Sequence, residues 1–198
     1  MAKTATMTAT RLIVGISGAS GTIYGVRLLE MLRKAGIETH LVMSKSAEMT
    51  LVYETDLKPK DVRALAAVHY PVTDIGAAIS SGSFPTMGMI IAPCSIRTMG
   101  EIATGVTASL LSRAADVVLK EKRRLVLAMR ETPLHSGHLR SMATLADIGA
   151  VIAPIVPAFY NRPQSVDDIV NHTCGRLLDL FGIDTGLVKR WKGGPAET

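Results

Sequence analysis

The chain has 198 residues, 47% of them hydrophobic and 20% charged, a length and composition that predict one folded domain and exclude disorder. No apolar run reaches the roughly 18 residues that span a bilayer, despite a mean hydropathy of +0.28, so no membrane span is expected. The net charge of +5 raises a nucleic-acid partner, but aromatics are only 4% and one basic run, residues 120–124, is dense; nucleic acid is set aside and anionic small molecules stay open.

Residues 1–10 are polar and threonine-rich and read as a leader; residues 11–191 read as a single domain and 192–198 as a tail. Residues 11–17 (RLIVGIS) form a continuous apolar run of strand length, followed by a glycine-rich turn. Ile23, Val26, Leu29 and Leu32 then recur at helical spacing up to Gly36, a C-terminal stop. Glu38–Met43 is strand-like, and Ser44 is placed to cap a following helix. Ser80, Ser81, Gly82 and Ser83 predict a flexible loop. Further strand-length runs fall at 87–92, 125–129 and 150–153. Helical candidates lie around 96–103, 107–122, 135–147 and 165–181, with Pro154, Pro157 and Pro163 breaking the chain before the last.

Strands alternating with helices predict a mostly parallel sheet covered on both faces, with ligands bound beyond the carboxyl ends of the strands. That rule selects Gly18-Ala19-Ser20-Gly21, Ser44-Lys45, residues 93–98 and Arg130-Glu131. Gly15, Gly18 and Gly21 are spaced neither as a dinucleotide fingerprint nor as a P-loop, but small residues let backbone N–H groups approach an anion, and Ser20 is able to cap the helix. Ser44-Lys45 stands where a dinucleotide site shows an acidic ribose ligand, so a mononucleotide phosphate is favoured.

Cys94 suggests a nucleophile, yet no partner base lies nearby in sequence, and a small buried thiol is the plainer reading. Arg113, Lys120, Arg130 and Arg176 end helices or strands. Solvated charge explains any one of them, except that the apolar strand before Arg130 delivers it to the binding edge. Glu131 and Glu54 are acid–base candidates, each equally able to pair with an arginine. His135 and His138, three apart, make a weak metal pair without a third ligand, so no metal is expected. With two cysteines, no C-x-x-C pair and no export segment, the chain reads as cytoplasmic.

The strings GISGASGTIYGVRLL, ETHLVMSKSAE, ISSGSF, APCSIRT, SRAADVVLKEKR, RETPLHSGHL and VPAFYNRPQSVDDIV run in order over nearly the whole chain. Together they resemble the flavin prenyltransferases, the UbiX/Pad family. The resemblance implies a flavodoxin-like (Rossmann-type) three-layer sandwich assembled as a dodecamer, with sites at subunit interfaces. It implies transfer of a dimethylallyl group from dimethylallyl monophosphate to N5 and then C6 of reduced FMN. The product, prenylated FMN, would serve a UbiD-type decarboxylase, often in ubiquinone biosynthesis. By motif, Gly18, Ala19, Ser20, Ser44, Ser95, Ile96, Arg97, Thr98 and Arg130 would contact FMN. Tyr160 and Arg176 would hold the dimethylallyl phosphate, with Lys120 and Arg113 completing its anion site from another subunit. Catalytic candidates are Ser20, Glu54, Glu131, Lys120 and Trp191, the last, or Tyr160, as an electron-rich face for an allyl cation. The alternatives are a flavin-dependent cysteine decarboxylase of the same fold, a non-catalytic flavin carrier, and a direct decarboxylase of aromatic acids.

Overall fold

The computed structural model describes residues 10–188 and 190. Residues 1–9 of the expected leader, the expected tail and Trp191 lie outside the described residues. Six parallel strands form one sheet: β1 (Arg11–Ile16), β2 (Glu38–Met43), β3 (Val68–Tyr70), β4 (Gly88–Cys94), β5 (Arg124–Met129) and β6 (Ala150–Ile152), in the order β3-β2-β1-β4-β5-β6. Their apolar runs are buried because helices cover both faces.

One face carries α1 (Thr22–Lys34), α2 (Lys45–Glu54), α3 (Pro59–Arg63) and α7 (Val166–Asp179), packed over Leu12, Val14, Ile16, Leu41 and Ile90. The other carries α4 (Ile96–Ala103), α5 (Leu110–Lys120) and α6 (Ser136–Asp147), packed over Ile13, Met89, Ile91, Leu125 and Leu127. This is the expected flavodoxin-like, Rossmann-type three-layer sandwich. Arg27 of α1 holds α7 through Asn171 and, at 3.0 Å, through Asp167.

The chain leaves β1 toward one face and β4 toward the other, so a crevice opens between the two strand ends. Gly25 lets α1 press onto that point: a Cβ there would stand 2.5 Å from the Ala92 carbonyl oxygen.

Three local expectations are corrected. β3 and α3 were not foreseen, being three and five residues long with no sustained period. α5 starts three residues later than expected, because Ser109 caps it. The serine-rich segment is not loose: Ala78–Ser80 forms a 3-10 turn, and Arg123 donates to the Gly82 and Phe84 carbonyls, both at 2.7 Å.

Candidate active site

At the carboxyl edge the central strands are tied by one side chain. Buried Ser17 donates its hydroxyl to the Pro93 carbonyl at 2.8 Å and accepts the Ser95 N–H at 2.7 Å. Gly18 follows, where a Cβ would fall 2.3 Å from the Ser46 hydroxyl, so only glycine fits there.

Ser20 does not cap α1, contrary to expectation. The N-cap is Gly21, in the left-handed region at φ 98, and makes no side-chain cap. Glu54, the last residue of α2, supplies the cap instead, accepting from Gly21 N–H at 2.9 Å and from Thr22 N–H and hydroxyl at 3.1 Å each. Burial alone raises the Glu54 pKa, but the Ser20 hydroxyl, the two N–H groups and the Thr22 hydroxyl outweigh it and hold the carboxyl below the usual range. Ser20 and the Glu54 carboxylate therefore stand together at the amino end of α1.

Beside them lies a cleft of about 440 Å³ lined by Ser44, Ser46, Met49, Ser95, Arg97 and Thr98 together with Thr73, Ser109 and Leu111. Three helices begin here. Ser44 accepts the Ala47 N–H at 3.0 Å, Ser95 the Thr98 N–H at 3.3 Å, and Ser109 the Ser112 N–H at 3.3 Å. Their amino ends give the cleft positive character without a buried cation. Met49 and Leu111 add an apolar wall. Hydroxyls, helix ends and apolar side chains together suit a flat ring carrying a phosphate.

Of the expected flavin contacts, Ser44, Ser95, Arg97 and Thr98 line this cleft, and Gly18, Ala19 and Ser20 form the adjoining turn. The Ile96 side chain instead packs against the core under α4. Arg97 is exposed and paired with Glu101 at 3.0 Å. Arg130 follows β5 and donates its N–H to Cys94 O at 3.1 Å, which puts it on the same rim.

A second cleft, of about 530 Å³, holds Tyr160, His172 and Arg176 among Ala153, Pro154 and Leu177. Tyr160 and Arg176 are thus brought together as expected. The Tyr160 hydroxyl is 2.9 Å from His172 Nε2, and Arg176 bonds Asp179 at 2.5 Å. Arg190 also bonds Asp179; with burial opposing and Arg176 helping, it holds that carboxyl below its ordinary range.

The remaining candidates are scattered within one subunit. Lys120 ends α5 just before β5 begins, at the opposite rim of the sheet, and pairs with Glu121 at 2.6 Å. Arg113 bonds Asp116 at 2.8 Å. A role for either in the Tyr160 cleft requires a neighbouring copy. Glu131 is exposed, its carboxylate taken by the Thr132 N–H at 3.0 Å.

Cys94 is completely buried, which pushes its thiol up to about 12 and leaves no nucleophile. His135 Nδ1 accepts the Gly137 N–H at 3.0 Å as the cap of α6, so that lone pair is committed to the backbone. Ser17, Met49, Ser109 and His172 were not foreseen as site residues. Ser109 alone had a legible signal, the S-x-x-S capping pattern.

Residues 1–178 match the flavoprotein family model. The flavin prenyltransferase UbiX of Escherichia coli K12 is 61% identical over 186 residues, covering 92% of this chain and 98% of the relative. AnUbiX (PadA1), solved with FMN and dimethylallyl pyrophosphate, superposes with a TM-score of 0.92 at 50% identity, over 93% of this chain and 98% of its own. A dodecameric FMN-dependent UbiX-like decarboxylase from Escherichia coli O157:H7 gives 0.89 at 50% identity, over 92% and 99%.

Proposed function

This chain belongs to the flavin prenyltransferase (UbiX) family of flavoproteins, and on that premise we propose that it transfers a dimethylallyl group from dimethylallyl monophosphate to N5 and then C6 of reduced FMN. It is a transferase acting on FMN. The observation that carries the site assignment is the convergence of three helix amino ends and the Ser20–Glu54 pair at the switch point of the sheet. The flavin supplies the nucleophile and an electron-rich face for the allyl fragment.

The chain's own residues have four tasks. Ser44, Ser95 and Thr98 offer hydroxyls and N–H groups to the flavin phosphate, and Arg97 adds a cation at the mouth. Gly18, Ala19, the Ile96 backbone and Arg130 border the ring. Arg176 and Tyr160, with Arg113 and Lys120 of a neighbouring copy, hold the prenyl phosphate and stabilise it as the carbon–oxygen bond breaks, so the transfer calls for no metal. When C6 bonds the prenyl double bond, C6 loses one proton and the neighbouring alkene carbon gains one. Ser20 and Glu54 would take the first and hand it on, since a carboxylate with a lowered pKa retains a proton poorly, and the released phosphate would return a proton to the alkene. The Glu131 carboxylate, turned back on its own backbone, is the less supported acceptor. Trp191 remains the candidate for a second aromatic face on the prenyl group.

The need for a neighbouring copy favours a dodecamer like the similar solved protein. The finer reading is a cytoplasmic enzyme whose prenylated FMN passes to a UbiD-type decarboxylase, in ubiquinone biosynthesis or a related route. Among the described residues no helix is long and apolar enough to cross a membrane. The cysteine decarboxylase, carrier and direct decarboxylase alternatives are set aside on the 61% identity to a prenyltransferase. The test is anaerobic turnover of reduced FMN with dimethylallyl monophosphate, followed by transfer of the filtrate to an apo UbiD-type decarboxylase. One phosphate released per flavin, and activation of the decarboxylase, are expected; no phosphate release from protein that binds FMN overturns the reading.

A further inference from the structure

His172 stands one turn before Arg176 on α7, so the two residues share a helix face and line the same cleft. Its side chain is nearly inaccessible, at 6% exposure. The ring meets Tyr160 edge to face, centroids 5.4 Å apart, with Nε2 2.9 Å from the phenolic oxygen. A phenol has one proton. If Tyr160 donates that proton to His172, only lone pairs are left toward an anion, and they repel it. If Tyr160 accepts from Nε2–H, its own proton is left for the anion. Burial, and secondly the Arg176 charge, push the imidazole pKa down, which favours a neutral ring carrying one N–H.

We propose that His172 is a positioning residue for the prenyl phosphate: as an Nε2–H donor it fixes the Tyr160 hydroxyl as a donor to the anion that Arg176 attracts. The inference rests on the reading above, that Tyr160 and Arg176 hold the phosphate. It adds a residue that touches neither substrate yet sets how one of them is bound.

Gln and Asn separate this role from packing. The Gln amide reaches about as far as Nε2, whereas the Asn amide stops near the Nδ1 position and falls short of Tyr160. In the intact oligomer, His172→Asn should raise the KM for dimethylallyl monophosphate about tenfold, the loss of one hydrogen bond to a charged system, with FMN affinity unchanged. His172→Gln should restore most of that loss. In a Tyr160→Phe background, His172→Asn should have no further effect, because the histidine acts through that hydroxyl. Equal KM values for the Asn and Gln variants, or additive losses in the double variant, overturn the proposal. If Tyr160→Phe alone leaves the KM unchanged while wild-type protein still prenylates FMN, the phosphate assignment falls, and this inference with it.

Discussion

Ser95 donates its backbone N–H to the hydroxyl of Ser17 at 2.7 Å, across the gap between the ends of β1 and β4. That hydroxyl also donates to Pro93 O, so one buried oxygen closes the crevice floor from both sides. Ser17→Ala leaves a buried N–H and a carbonyl without this partner, a cost of about 1–3 kcal/mol. Urea unfolding should show that loss, together with weaker FMN binding, since Ser95 caps α4, whose amino end lines the cleft.

Glu54→Gln keeps the shape but removes the charge that accepts from Gly21 and Thr22. Prenylation should slow by about 100-fold, the usual scale for a lost proton-transfer group, while FMN affinity stays nearly intact. Flavin fluorescence titration beside single-turnover rates checks the separation. Equal losses in both would assign Glu54 to binding.

The same carboxylate predicts a pH dependence. Its folded pKa is lowered, so its contribution to stability is complete above the ordinary glutamate range and is lost as pH falls through the folded value. The stability gap between wild type and Glu54→Gln should stay constant from neutral pH down to about 5, then shrink below about 4. Denaturant titrations at stepped pH measure it.

Gly25→Ala should destabilise the fold even though alanine favours a helix by about 1 kcal/mol. The added Cβ would meet the Ala92 carbonyl at 2.5 Å and the Ile16 side chain at 2.6 Å, so α1 must move off the sheet. Overpacking of this kind costs about 1–3 kcal/mol, and a lowered Tm with weakened FMN binding is expected.

Neither cysteine should react with a thiol reagent in the folded protein, because burial pushes both thiols up to about 12. Both should react once denatured, and Cys94→Ala should retain prenylation.

The fold was legible where periodicity was unbroken. Glu38–Met43 and Ile96–Ala103 have the expected ends because each is bounded by a strong stop or cap, Ser44 after the strand and Ser95 before the helix. β3 was not, since its three residues include His69 and its pairing with β2 is purely tertiary. At the site, sequence located the loops but not the partners within them. Ser20 resembled a cap by position, yet a carboxylate 33 residues beyond Gly21 took that task. His172 lies twelve residues from Tyr160, and only the fold of α7 against the preceding loop brings them into contact. Lys120 stands at the far rim because α5 runs back against the strands, a consequence of the right-handed crossover that no local motif reveals.

The most direct measurement is the mass of the flavin after anaerobic incubation of the protein with reduced FMN and dimethylallyl monophosphate. The expected result is FMN heavier by one five-carbon prenyl unit, formed in wild type and slowly in Glu54→Gln. Flavin of unchanged mass, recovered from folded protein that had bound both compounds, would contradict the account.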